Sequence, residues 1–160
     1  MEKSRGISMI SLIFTIIVTI TLASMAIVTG SRYLKESKEK HKEVFSTILS
    51  NAVLKRKEDA SISTSRYPYF GYYIVNDTIF ENIFAPKIGN NNISFDDGAW
   101  YIIDSNIAAK LDVKGAEEYI DSVVDADDNK VNVALVNYAT GDVFLIEAFV
   151  DEIAALTLFQ

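Results

Sequence analysis

The chain has 160 residues, a net charge of −7 and no cysteine. That length suits one domain plus an anchor, and the missing cysteines exclude a disulfide scaffold and thiol chemistry. Residues 1–66 hold 11 Lys and Arg against 6 Asp and Glu, whereas 67–160 hold 4 against 16, so the second part repels phosphate backbones and direct nucleic-acid binding is not expected.

The first element is the stretch Ile7 to Val28, which carries no charge, no proline and no glycine. As a helix it is long enough to cross the roughly 30 Å hydrocarbon core of a bilayer. Lys3 and Arg5 precede it, and the positive-inside rule places that end in the cytoplasm with the remainder outside. A cleaved secretory signal is the competing reading. Its apolar region is shorter, about 7 to 15 residues, and ends in small residues at the cut, whereas here Gly30-Ser31-Arg32-Tyr33 leads into more helix.

Lys3-Ser4-Arg5-Gly6 followed directly by Ile7-Ser8-Met9-Ile10-Ser11-Leu12-Ile13 resembles the signal of type IV prepilins, in which a short basic leader ends in glycine before the apolar helix. The resemblance implies cleavage between Gly6 and Ile7 by a membrane prepilin peptidase, then N-methylation of Ile7. It also implies assembly with other pilin subunits by an assembly ATPase and a platform protein, the helix serving first as membrane anchor and then as filament core. Pilins of this family usually carry glutamate as the fifth residue of the processed chain, to meet a neighbour's terminal amine. Here that position is Ser11. A lone acid in a bilayer costs about 2.5 to 3.5 kcal/mol on insertion scales; Ser11 avoids that cost and gives up the registering charge. Tip-type minor pilins and pilin-like proteins of Gram-positive bacteria share this substitution. The missing cysteines also exclude the disulfide-closed loop of many Gram-negative pilins.

At 100° per residue, Ser8, Ser11, Thr15, Thr19, Ala23, Ala26 and Gly30 fall within a sector of roughly 120°. Such small-residue stripes let helices approach closely in lipid, and under the pilin resemblance this is the face that meets neighbouring subunits. The alternative is that the hydroxyls bond back to the preceding turn.

From Ser31 to Asp59 the chain is rich in Lys and Glu, with apolar residues at Phe45, Ile48, Leu49 and Ala52. That spacing predicts a helix with one buried face, and pairs such as Glu36 with Lys40 add a few tenths of a kcal/mol each. One continuous helix is expected over 7–59, about 80 Å long at 1.5 Å per residue. A coiled coil needs a longer apolar repeat than this. His41, the only histidine, sits among charges and reads as solvated.

Ala60 to Ser65 should end the helix. Tyr67 to Val75 is aromatic and β-favouring and reads as a strand or a loop leading into a strand. Its tyrosines suit sheet packing, with an adhesive patch as the other reading. Asp77 to Ala85 is ambiguous between helix and strand, and Pro86 with Gly89-Asn90-Asn91-Asn92 marks a loop. Ala99 to Ile103 reads as a strand, and Asp104 or Ser105 caps a short helix through Leu111. Tyr119 to Val124, Val131 to Tyr138 and Asp142 to Ile146 read as an antiparallel meander. The end of Trp100-Tyr101 through Val136-Asn137-Tyr138-Ala139-Thr140-Gly141-Asp142-Val143 resembles the V-x-Y-x-T-G-x-V hairpin of clostridial pilin-like heads. Asp151 to Leu156 reads as a terminal helix.

Asp125, Asp127 and Asp128, with Asn129, offer hard oxygens for calcium. The EF-hand pattern fails, with no glycine at the sixth loop position and no glutamate at the twelfth, so a solvated turn is the expectation. No phosphate loop, HExxH or serine elbow is present. The chain reads as a non-enzyme with no cofactor.

The expectation is an α+β protein: leader 1–6, membrane-spanning or filament-core helix 7–30, amphipathic continuation 31–59, and an extracellular antiparallel β-sheet head over 60–160. Its function is expected to be that of a minor or pilin-like subunit of a type IV pilus. The alternatives are a pseudopilin of a type II secretion or competence machine, and an unprocessed single-pass protein whose acidic head binds a ligand.

Overall fold

The structure is a computed structural model describing residues 9–62, 69–75, 77–89, 93–124, 126 and 129–157. It is α+β: a long N-terminal helix, α1 (Met9–Ile62), precedes a small four-stranded antiparallel sheet on which its later turns pack. The chain divides into two compact units, 1–41 and 42–160.

In the first unit α1 is apolar to Val28, and among the described residues no large apolar side chain on it is buried. In the second unit the pattern changes, and so does the environment. Phe45, Leu49 and Val53 recur every fourth residue, which places them on one helical face, and all three are buried. They pack against Ile103, Ala134, Val136 and Tyr138 of the sheet, and against Val113 and Ile120 of the segment beneath it. Phe45 stacks on Tyr119 with ring centroids 4.6 Å apart.

The strands are β1 (Tyr72–Tyr73), β2 (Trp100–Ile103), β3 (Lys130–Asn137) and β4 (Val143–Phe149), in spatial order 1-2-3-4. Side chains alternate across a sheet. Ala134 and Val136 therefore face α1, while Val131, Val133 and Leu135 enter a second core. Phe80, Phe84, Ile153 and Leu156 cover that second face. The last two belong to α5 (Val150–Thr157). Helices on both faces explain why β3 is buried without interruption from Val133 to Asn137, as strands covered on both sides are. The Trp100 indole, fully buried in this second core, donates to the Ser94 carbonyl at 3.2 Å.

Three expectations are decided in the structure. Tyr119 to Val124 forms no strand: β3 has β2 and β4 as neighbours, and although the Asp121 N–H donates to the Asn132 carbonyl of β3 at 2.7 Å, other backbone groups of the segment bond outside the sheet. The Val123 N–H donates to Asp104, and the Asp121 carbonyl accepts from the Ser105 N–H. Of the strand or loop-strand expected over 67–75, the strand part among the described residues is Tyr72–Tyr73. Gly71 has φ +134°, and a Cβ there would lie 2.9 Å from the Ile102 carbonyl oxygen. The ambiguous stretch is helical: α2 (Asp77–Ile79), a π-helical turn (Phe80–Phe84) and α3 (Ala85–Ile88). Pro86 is inside this run rather than in a loop. Proline has no N–H to give to the carbonyl four residues back and its ring crowds that carbonyl. The turn before it widens accordingly, with the Ala85 N–H bonding to the Phe80 carbonyl.

Candidate functional site

Two features of the chain have the chemistry of a site: the bare apolar turns of α1 in the first unit, and a cavity in the second.

From Leu12 to Val28 the large apolar side chains of α1 are 41 to 72% exposed. This segment is long and apolar enough to cross a membrane. Its hydroxyls are internally satisfied. Thr15 donates to the Ser11 carbonyl at 2.8 Å, Thr19 to Thr15 at 2.7 Å, Thr21 to Ile17 and Ser24 to Ile20 each at 2.8 Å. These bonds remove the cost of carrying polar groups into hydrocarbon. Ser11, Thr15, Thr19, Ala23, Ala26 and Gly30 all lie on α1. Nothing approaches within 4 Å of a Cβ placed at Gly30. Gly6, Ile7 and Ser8 lie outside the described residues, as do the calcium candidates Asp125, Asp127 and Asp128. Among the described residues no group of three His, Cys, Asp or Glu side chains could hold a metal. His41 is exposed.

In the second unit, α4 (Ser105–Lys110) starts at a buried carboxylate, Asp104, in extended conformation. Its Oδ1 accepts the Ile107 N–H at 2.8 Å, and its Oδ2 accepts the Val123 N–H at 3.2 Å. A side-chain acceptor here satisfies one of the donors a helix start leaves open. The Tyr72 hydroxyl lies 3.5 Å from Oδ2; burial first, then the neighbouring carboxylate, pushes its pKa up.

A cavity of about 610 Å3 opens beside this cap, walled by Tyr69, Phe70, Tyr72, Asp104, Asn106 and Lys110. A second cavity, of about 190 Å3, is walled by Lys55, Arg56, Asp59, Phe70, Lys110 and Asp112. Phe70 and Lys110 belong to both walls, so the two adjoin. The Arg56 guanidinium sits 4.3 Å from the centre of the Phe70 ring, within cation–π reach. Its Nε is buried with no hydrogen-bond partner among the described residues. The sequence reading passed over Arg56 and Lys110, which are separated in the chain by more than fifty residues. No local motif joins them.

The tyrosines form sheet packing. Tyr69 stacks on Tyr138 at 4.4 Å, and Tyr101 meets Tyr138 edge-on at 5.1 Å. Tyr138 is buried, while Tyr69, Tyr72 and Tyr73 are half-buried.

Comparison of the chain with protein-family models, with curated proteins and with solved structures finds no match.

Proposed function

We propose that this protein is a structural subunit of a type IV pilus, of the minor or pilin-like kind, released from its leader between Gly6 and Ile7 and incorporated through α1. The observation that carries the reading is the change of character along α1. The helix is apolar and bare from Leu12 to Val28, yet its later turns enter the core of the sheet-bearing unit through Phe45, Leu49 and Val53. A subunit that passes from bilayer to polymer needs both properties in one helix. Lipid covers the bare turns before assembly, and other helices cover them afterwards. The basic leader ending in Gly6, and Ser11 in place of the registering glutamate, support a minor rather than a fibre-forming role. In this reading the N-terminus is cytoplasmic before processing and the acidic head is extracellular.

Intact-mass measurement of the membrane-extracted chain, co-expressed with an active prepilin peptidase, tests the proposal. Loss of Met1 to Gly6 with one added methyl group is expected. Retention of Met1 would favour an unprocessed single-pass protein. Processing together with co-purification in sheared surface filaments separates a pilus subunit from a pseudopilin of a secretion or competence machine, which remains with the envelope.

A further inference from the structure

The chain after residue 66 is acidic, and its few cations are divided in an informative way. Between residues 67 and 160 there are four lysines and no arginine. Lys87 is ion-paired with Glu152 and Lys130 with Glu147, and both also lie against the Phe149 ring. Lys110 and Lys114 have no ion pair among the described residues, and of these two it is Lys110 that lines both adjoining cavities. Lys55 and Arg56, on α1, face the smaller cavity and also lack an ion pair among the described residues, although Asp59 and Asp112 share its wall. The smaller cavity thus sets three cations against two carboxylates in an otherwise acidic part of the chain, a local excess of positive charge that attracts an anion.

We propose that the joined cavities bind an acidic saccharide, a sugar chain bearing carboxylate groups. The larger cavity has the size of small-ligand sites and offers aromatic rings, Tyr69, Phe70 and Tyr72, on which the apolar face of a pyranose can lie. Asn106 is beside them. Its amide nitrogen donates to Ser122 Oγ at 2.7 Å, and its amide oxygen is an acceptor for a sugar hydroxyl. The smaller cavity supplies the charge. The Arg56 plane, held on Phe70, is pre-organised for a carboxylate, and Lys55 and Lys110 add point charges on either side. Asp59, Asp104 and Asp112 stand in the same walls and oppose a polyanion as dense as nucleic acid, which carries a charge every few ångströms. A saccharide with one carboxylate per ring and hydroxyls between them matches this mixture. The inference does not rest on the filament reading: the site is the same in a filament or in an isolated membrane protein.

The test is calorimetric titration of the full chain in detergent micelles with a galacturonic acid trisaccharide, a neutral galactose trisaccharide and a glutamate hexapeptide. The acidic saccharide is expected to bind at least about tenfold more tightly than the other two, and to weaken as salt rises from about 50 to about 500 mM. Lys110→Gln and Lys55→Gln, both at exposed positions, should each weaken it several-fold while leaving thermal unfolding unchanged. Arg56→Gln should weaken it most, but this variant also removes the stack on Phe70, so the lysine variants decide. Absence of binding, equal binding of the neutral sugar, or lysine variants that bind as the parent does would each overturn the proposal. Binding of the peptide as tight as that of the sugar would assign the hollow to an acidic protein segment and overturn it as well.

Discussion

Tyr138 and Phe70 are hydrogen-bonded to each other twice. The Tyr138 hydroxyl donates to the Phe70 carbonyl at 2.9 Å and accepts from the Phe70 N–H at 3.3 Å. One phenol thus satisfies both backbone groups of a residue 68 positions away in the chain, at the point where the segment entering β1 meets the end of β3. Residues at such a junction have no strand neighbour to pair with, so a side chain takes the strand's part.

Tyr138→Phe keeps the ring stacking on Tyr69 and removes only the hydroxyl. It leaves a half-buried N–H and carbonyl unpaired, which costs about 1 to 3 kcal/mol. Chemical denaturation of the variant should show a lower midpoint with an unchanged slope. An unchanged midpoint would mean that water replaces the phenol.

Burial pushes the pKa of Tyr101 and of Tyr138 up to about 12, and in Tyr138 the Phe70 bond and Arg56 oppose the rise. Their folded pKa values lie above the ordinary 10.0. The stability this contributes is therefore fully present below pH 10 and is lost as pH rises through about 12. Phenolate absorbance should show Tyr101 and Tyr138 ionising last of the eight tyrosines, together with the alkaline unfolding transition, with Tyr72 also raised above the ordinary value. If all eight titrate near pH 10 while the fold persists, the burial argument fails.

Leu49 is fully buried and Ile48, its neighbour on α1, is half exposed to solvent. Leu49→Ala should cost about 2 to 5 kcal/mol, since it opens a cavity against the sheet. Ile48→Ala should stay within about 0.5 kcal/mol. Thermal unfolding of the two variants measures the contrast, and similar losses in both would show that this turn of α1 is not docked as described.

Asp104→Ala removes the acceptor for the Ile107 and Val123 N–H groups at once. Loss of a cap costs about 0.5 to 2 kcal/mol, and the second orphaned donor adds to it. Amide hydrogen exchange should accelerate at Ile107 and Val123 and remain slow in the β3–β4 pair. Acceleration spread evenly over the whole unit would instead indicate global destabilisation.

Much of the architecture follows from local pattern. The uncharged run to Val28 and the four-residue spacing of Phe45, Leu49 and Val53 are properties of a helix with itself, so α1 is readable without knowing what surrounds it. The same holds for the Asp104 cap, since the acceptor and the N–H it meets are three residues apart. The β3–β4 hairpin is legible because Ala139-Thr140-Gly141 separates two apolar runs, and Gly141 takes the φ of +84° that the turn requires.

What the chain order could not supply is which strand lies beside which, and what covers the second face of the sheet. Tyr119 to Val124 has the composition of a strand, but the place beside β3 goes to β2, whose register puts Ile103 against Ala134 and Trp100 against Asn137. A segment's own residues say nothing about that competition, because it is settled by contacts made across long stretches of chain. The hollow between Arg56 and Lys110 is of the same kind. By itself the sequence determined a bare apolar helix running into an amphipathic one, because helical periodicity acts over a few residues. Only the tertiary structure decided which cations would be left unpaired together, because that depends on where distant side chains come to rest.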